Sequence, residues 1–248
     1  MRTILVSFAL LAAVPACAQH QHGGHQPAQP AQPAQPAQPA QPATGHAHGA
    51  GHAHGAGHAH GGGHSHAMPQ GWTVRLDRAN ADAAQVMFMG MDGGLHAELG
   101  PAGIFYNPAN SPSGAYRLAA SFTQNKMSAH PEGYGLMIGG RNLTADNLDY
   151  AYFLVRQDGK FTIKHRAGTE VHTLTDWTEH AAVARPDAQG RATNALAIET
   201  GSSGTRFLIN GQVVGSFGQQ LNTAGVAGLR LNHNIDVMVR GFGVTPAQ

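Results

Sequence analysis

Ten short apolar or alternating runs fill the sequence after Gly71, and Gly, Asn, Asp or Pro separates each run from the next. None of the runs sustains the 3.6-residue period of an amphipathic helix. Short alternating runs between turn residues are typical of β-strands, so the stretch predicts an all-β sandwich or barrel. The predicted strands are 86–89, 115–122, 134–138, 150–156, 161–166, 195–199, 206–209, 212–217, 226–231 and 235–244.

Turn residues predict a first hairpin around positions 210–211, where Asn-Gly joins RFLI to QVVGSF. Asn-Gly favours positive φ at both central positions, which a type I′ turn requires. A two-residue turn at this point pairs Leu208 with Val213 and Phe207 with Val214.

A second hairpin is predicted around Asp-Gly at 158–159, between YAYFLVRQ and KFTIKHR. A two-residue turn pairs Leu154 with Ile163 and Tyr152 with His165, whereas closure through a bulge shifts the pairing by one residue. The core face is expected to carry Tyr150, Tyr152, Leu154, Phe161 and Ile163. The other, more amphipathic face is expected to carry Phe153, Val155, Thr162, Lys164 and Arg166.

The N-terminus resembles a secretory signal peptide. Arg2 precedes an apolar run at 4–14, which is too short to span a bilayer, and Ala-Cys-Ala at 16–18 offers a cleavage site. Cleavage there leaves Gln19 as the mature N-terminus and predicts a periplasmic or secreted protein without cysteine. The alternative is a lipoprotein anchored through Cys17. No later stretch is apolar enough for a transmembrane helix, and the folded part must be stabilised by burial rather than by disulfides.

Two repeats of low complexity follow the predicted signal peptide. Residues 26–43 are Gln-Pro-Ala repeated six times, and proline at every third position excludes helix and sheet. This repeat predicts a semi-rigid polyproline II spacer. We therefore expect a signal peptide at 1–18, a disordered tether at 19–70 and the β-sandwich at 71–248.

Residues 45–68 repeat Gly, His, a small residue and His. Neutral imidazole binds zinc, copper and nickel, so the repeat predicts loose binding of several transition metal ions. The alternative is a flexible linker expanded by repeat slippage. The predicted metal ligands are His46, His48, His52, His54, His58, His60, His64 and His66.

Several motifs within residues 71–244 resemble a family of exported bacterial domains. They are MGMDGGLHAELGPAGIFYNP, EGYGLMIGG, YFLVRQDGKFTIKHRAG, RFLINGQVV and GVAGLRLNHNIDVMVRGFGV. The family has the concanavalin A-like, or laminin G-like, jelly-roll fold and is related to a domain of unknown function labelled 3-keto-disaccharide hydrolase. The resemblance implies a two-sheet antiparallel jelly-roll sandwich with carbohydrate as its ligand class.

Polar and aromatic side chains in the predicted strands and loops are the candidates for ligand binding. Arg, Asn and His can hydrogen-bond to sugar hydroxyls, and an aromatic ring can stack on a sugar ring. A turn at 232–234 and edge packing of the tryptophan are the alternative interpretations. The candidates are Tyr134, Arg141, Lys164, Arg166, Trp177, Asn232, His233 and Asn234.

The charge balance and one missing motif argue against two classes of function, nucleic-acid binding and laminarinase-like hydrolysis. Fifteen basic residues against fourteen acidic ones argue against a nucleic-acid partner. The Glu-x-Asp-x-Glu pattern of laminarinase-like glycosidases is absent, so no catalytic residues are assigned and no cofactor is expected to be required. Oxygens of Asp146, Asn147 and Asp149 are candidate calcium ligands, with a solvated loop as the alternative.

The sequence thus predicts an exported, non-catalytic module that binds a glycan or cell-envelope polymer and carries a metal-binding tail. The first alternative is a hydrolase of glycosides or 3-keto-glycosides. The second is an extracytoplasmic metal buffer anchored by the sandwich.

Overall fold

The computed structural model describes residues 68–91 and 93–247. The predicted signal peptide, the spacer and the His repeat lie outside these residues. No helix within the described part is long and apolar enough to cross a membrane.

The described chain consists of fourteen strands and one short 3-10 helix, Ala83–Gln85. The strands are β1 Thr73–Leu76, β2 Val86–Met91, β3 Gly94–Leu99, β4 Gly103–Tyr106, β5 Tyr116–Gln124, β6 Gly133–Arg141, β7 Asp149–Arg156, β8 Lys160–Ala167, β9 Glu170–Glu179, β10 Ala192–Gly201, β11 Gly204–Ile209, β12 Gln212–Phe217, β13 Val226–Leu231 and β14 Ile235–Pro246.

The strands form two antiparallel sheets of seven strands each, which confirms the predicted sandwich. Sheet A has the order β1-β4-β13-β6-β7-β8-β9, and sheet B has the order β12-β11-β10-β5-β14-β3-β2. Consecutive strands β6 to β9 form a meander in sheet A. The last two strands lie in opposite sheets: β13 lies between β4 and β6 in sheet A, and β14 lies between β5 and β3 in sheet B.

All ten predicted runs form strands, and four further strands were not predicted. Of these, β9 carries the sequence EVHTLTDWTE, and most of its residues are exposed because it forms the edge of sheet A. A polar edge strand lacks the buried apolar face that makes alternation visible in a sequence. The strands β1 and β4 have only four residues each, too few to show a period.

The main hydrophobic core lies between the two sheets. In β5 every second residue is buried, as expected for a strand with one face on the core. Phe105, Phe153 and Ile163 of sheet A are fully buried in the same cluster as Phe122 and Phe207 of sheet B. Each such side chain contributes about 1.5–3 kcal/mol through burial, so this core supplies the stability that disulfides would otherwise provide.

The first hairpin has the predicted turn but only part of the predicted pairing. Asn210 and Gly211 have φ of 49° and 82°, as a type I′ turn requires. Leu208 pairs with Val213, as predicted. The pairing of Phe207 with Val214 is wrong, because a bulge follows Val213 and Phe207 pairs with Gly215 instead.

The second hairpin closes through the alternative, shifted geometry. Gly159 has φ of 83°, and its N–H donates to the carbonyl of Arg156 at 3.1 Å, so the loop has three residues. Leu154 therefore pairs with Thr162 and not with Ile163. Tyr152 likewise pairs with Lys164 and not with His165.

This shift changes which side chains share a face of sheet A. Phe153 and Val155, predicted on the amphipathic face, lie in the main core with Phe161 and Ile163. The tyrosines of β7 instead lie on the outer face, which bears a second apolar cluster partly covered by the loop after β6. The members of this cluster are Ile104, Tyr106, Met137, Leu143, Leu148, Tyr150, Tyr152 and Leu154.

Candidate functional site

A charged network lies on the outer face of sheet A beside the second cluster. Asp77, just after β1, accepts hydrogen bonds from both Nη atoms of Arg230 at 2.6 Å. Arg166 of β8 donates a further hydrogen bond to Asp77 at 3.2 Å. Two guanidinium groups therefore share one carboxylate, which leaves the network with a net positive charge.

Arg230 is the most buried charged group described in the sandwich. Its side chain is only 10% exposed, and its Nε has no hydrogen-bond partner among the described residues. Burial opposes ionisation of Asp77, but hydrogen bonds and charge from Arg230 and Arg166 outweigh burial and hold the pKa of Asp77 below its ordinary value. A buried donor without a partner is costly, so the enclosed guanidinium of Arg230 depends on its two hydrogen bonds to Asp77 for stabilisation.

Three tyrosines surround the network. Tyr106, Tyr150 and Tyr152 are at most 8% exposed, and the guanidinium carbon of Arg230 lies 5.7 Å from the ring centroid of Tyr152. No described residue forms a hydrogen bond with the three hydroxyls. Burial raises the pKa of Tyr106 and Tyr152, so both remain neutral hydrogen-bond donors at ordinary pH.

An aromatic side chain borders this face at the edge strand. Trp177 of β9 is half-buried, and the guanidinium carbon of Arg156 lies 4.2 Å from its ring centroid. A Cβ placed on Gly133 would lie 3.0 Å from the indole, so glycine in β6 makes room for the ring. The cation fixes the indole plane beside the tyrosine cluster.

The predicted ligand residues divide between this face and other places. Two of them, Lys164 and Arg166, lie on the outer face, because they are directly opposite Tyr152 and Tyr150. Trp177 packs against the second cluster on the same face. Arg141 ends β6 and donates to Asp149 at 2.9 Å.

The prediction for Tyr134 is wrong, because the shape of the core leaves no room for a sugar on its ring. Tyr134 is 1% exposed in the main core, with its ring centroid 5.7 Å from that of Phe122. Asn194 donates to its hydroxyl at 3.3 Å, and burial raises the pKa of Tyr134 to about 12. The sequence placed Tyr134 in a strand but did not reveal which face it would take.

Residues 232–234 form the turn between β13 and β14, as the alternative interpretation predicted. Asn234 has φ of 53°, which asparagine tolerates better than most residues. Nδ1 of His233 lies 2.9 Å from a carboxylate oxygen of Glu132, and the carbonyl of Asn234 accepts a hydrogen bond from Ser128. Asn232 is half-buried at the start of this turn.

Two carboxylates meet on the outer face of sheet B. Glu98 and Asp236 are directly opposite each other, and Nζ of Lys126 lies 2.6 Å from Glu98 and 3.6 Å from Asp236. Burial opposes ionisation of Asp236, but hydrogen bonds from Asn125 and His96 and the charge of Lys126 hold its pKa low. A glycosidase needs one carboxylic acid with a raised pKa, and Asp236 shows the opposite shift.

The predicted calcium site and other clusters of His, Cys, Asp and Glu can be checked in the described part of the chain. Among residues 68–91 and 93–247, no group of three His, Cys, Asp or Glu side chains can hold a metal ion. Of the three calcium candidates, Asp146 and Asn147 are exposed, while Asp149 is bound by Arg141 and by His165 at 3.3 Å. Calcium therefore stays a prediction.

Asp77, Arg230 and the tyrosine hydroxyls were missed by sequence reasoning. The signal for Arg230 was present, since it is the single charge in the apolar strand VAGLRL. A charge inside an otherwise buried strand needs a partner. Nothing in the sequence identified Asp77 as that partner, because 153 positions separate the two residues.

Comparisons with known proteins support the fold. Carbohydrate-binding module CBM66 from Bacillus subtilis is 10% identical with a TM-score of 0.50, covering 70% of this chain and 94% of that chain. A Bacillus subtilis protein of unknown function with a galectin-like fold is 11% identical with a TM-score of 0.50, covering 71% and 90%. The chain has a galectin-like β-sandwich fold. This agrees with the predicted concanavalin A-like jelly roll.

The comparisons do not extend to a family. No protein-family model matches the chain, and no curated protein sequence matches it. The comparisons therefore give no support for hydrolase activity, which the label of the resembling family suggests. They confirm the sandwich that the resemblance implied.

Proposed function

We propose that the chain is a carbohydrate-binding module and that the outer face of sheet A binds a glycan. The observation that carries this proposal is that the partly exposed Lys164, Arg166 and Trp177 lie on one sheet face beside the Tyr152 ring. Hydroxyl and guanidinium donors match the oxygens of a sugar, and the aromatic rings match its apolar faces. The neighbour CBM66, described as a carbohydrate-binding module, supports the same ligand class.

The charge of the face indicates which class of polymer it suits. Arg166, Arg230 and Lys164 against Asp77 give the face a positive charge. A polymer with carboxylated sugars therefore fits this face better than a neutral one.

A glycan array with the labelled full chain tests this proposal, using acidic and neutral polymers side by side. Tyr152→Phe removes one hydroxyl and keeps the ring, so affinity for the best array ligand should fall about 2- to 10-fold. The matched control is Tyr116→Phe, because the Tyr116 hydroxyl donates to the carbonyl of Thr223 away from this face. Equal affinity of wild type and Tyr152→Phe, or absence of binding to every polymer, would contradict the proposal.

A glycoside hydrolase is the second candidate, and the meeting of Glu98 and Asp236 at Lys126 favours it. The low pKa of Asp236 argues for binding without hydrolysis. Incubation of the full chain with the array ligands, followed by analysis of reducing ends, decides between them. Release of sugars that Glu98→Gln abolishes would replace the binding proposal with the enzyme.

The His repeat and the N-terminus add two proposals on residues outside the described part. We propose that the eight tail histidines take up zinc, copper or nickel ions. Calorimetry of the full chain against a variant with these histidines replaced by glutamine tests this uptake. We also propose export, and a mature N-terminus at Gln19 after expression in a bacterial host would support it, whereas an intact Met1 would oppose it.

A further inference from the structure

Three side chains line up across the outer face of sheet B near its edge. His96 of β3 lies directly opposite Met89 of β2 and directly opposite Met238 of β14. Their neighbours Phe88, Ala97 and Val237 are buried in the main core, so alternation places the three on the opposite, outer face. Met89, His96 and Met238 therefore form one row, which we call the Met-His-Met row.

The imidazole in the row is already oriented. Nε2 of His96 lies 2.9 Å from Oδ1 of Asp236, and the same oxygen accepts a hydrogen bond from Asn125 at 2.7 Å. A carboxylate accepts, so Nε2 is the donor of this hydrogen bond, and in the neutral imidazole Nδ1 then has the lone pair. No described residue bonds to Nδ1 of His96. A carboxylate behind one ring nitrogen is the arrangement that orients metal-binding histidines.

The spacing permits convergence on one ion. Residues directly opposite each other in antiparallel strands have Cβ atoms about 4.5–5.5 Å apart, and the flexible methionine side chain adapts its sulfur position. All three residues are half-buried rather than enclosed in the core, and the sheet fixes their backbone. Two thioethers and one imidazole can meet above β3.

Ligand chemistry selects the ion. Thioether sulfur is a soft, neutral ligand that favours Cu(I), whereas Mg, Ca and Mn favour oxygen ligands. We propose that the Met-His-Met row is a binding site for a soft monovalent metal ion, Cu(I), coordinated by the sulfurs of Met89 and Met238 and by Nδ1 of His96. This site is independent of both the glycan-binding face and the tail histidines.

The test uses the full chain with ¹³C-labelled methionine methyl groups and titrates it with Ag(I), a redox-stable probe for Cu(I). The row predicts that the methyl resonances of Met89 and Met238 move together and saturate at one ion per row. The buried methyl of Met137 in sheet A should not move. Zn(II) should leave all three methyls in place, because any zinc held by the tail histidines does not involve a thioether.

Variants separate the row from general methionine chemistry. Met89→Leu and Met238→Leu keep side-chain volume, and each should weaken Ag(I) binding at the remaining methionine at least about tenfold. The matched control is Met127→Leu, an exposed methionine outside the row, which should leave the affinity unchanged. Unmoved Met89 and Met238 methyls at excess Ag(I), or equal affinity of Met89→Leu and wild type, would overturn the proposal.

Discussion

Replacing Asp77 by Asn tests the charged network on sheet A. The change keeps the shape of the side chain but removes the charge that balances Arg230 and Arg166. Arg230 then remains in a site where its side chain is 10% exposed, without a carboxylate opposite its two Nη atoms. The guanidinium has no other carboxylate within hydrogen-bonding distance among the described residues.

The expected cost follows from this burial. Removing one partner of a fully buried ion pair costs about 3–5 kcal/mol. Asp77 itself is 29% exposed, and asparagine keeps one acceptor oxygen, so we expect the free energy of unfolding to fall by about 2–3 kcal/mol. The matched control is Glu199→Gln, whose partners Arg117 and Arg206 are 41% and 60% exposed, and its cost should be about 0–1 kcal/mol.

Urea unfolding of the full chain, followed by tryptophan fluorescence, measures both variants. The pKa of Asp77 is lowered in the folded state, so its stabilisation is complete above pH about 4 and is lost as the pH falls through the folded pKa. The difference between wild type and Asp77→Asn should therefore shrink in acid. A loss below about 1 kcal/mol at pH 7, or a difference that grows in acid, would refute the reasoning.

Three further predictions concern the fold. Phe153→Ala opens a cavity in the main core and should lower the free energy of unfolding by about 3–5 kcal/mol in the same urea assay. A loss under about 1 kcal/mol would place Phe153 outside the core. Asn210→Ala loses the left-handed turn residue and the hydrogen bonds of its side chain, so it should lower the melting temperature clearly more than Gln212→Ala does. Gly135→Ala places a Cβ 2.1 Å from the carbonyl oxygen of Phe153 and should reduce the yield of folded protein, and normal yield would contradict this packing.

Most strands with one buried face were predictable from sequence, although β3 was missed even though its Ala97 and Leu99 lie in the core. The alternation in β5 and the run RFLI carry their own signal, since apolar residues repeat with the period of a strand. The Asn-Gly turn also predicted the pairing of Leu208 with Val213, because pairs next to a two-residue turn follow from turn geometry. Alternation within a strand and the conformation of a two-residue turn depend on neighbouring residues, so the sequence alone predicts them.

The assignment of faces was not predictable, because it depends on register and on the partner sheet. A one-residue shift at Gly159 exchanged the partners of Tyr152 and Leu154, and the sequence allowed either closure. Both faces of β7 are apolar, so nothing local showed that its tyrosines would form a second cluster.

The ligand site was predictable only in part for the same reason. Lys164, Arg166 and Trp177 were found as polar or aromatic residues in the right strands. Asp77 and Arg230 meet across three strands, and only the fold brings them together.

The central claim is that the outer face of sheet A binds a glycan. Amide chemical shifts of the labelled full chain, recorded with the best array ligand, test it most directly. We predict shifts at Tyr152, Lys164, Arg166 and Arg230, with the amides of Ala119 and Ala197 on the outer face of sheet B unchanged. Shifts confined to Ala119, Ala197 and their neighbours on sheet B would contradict the account.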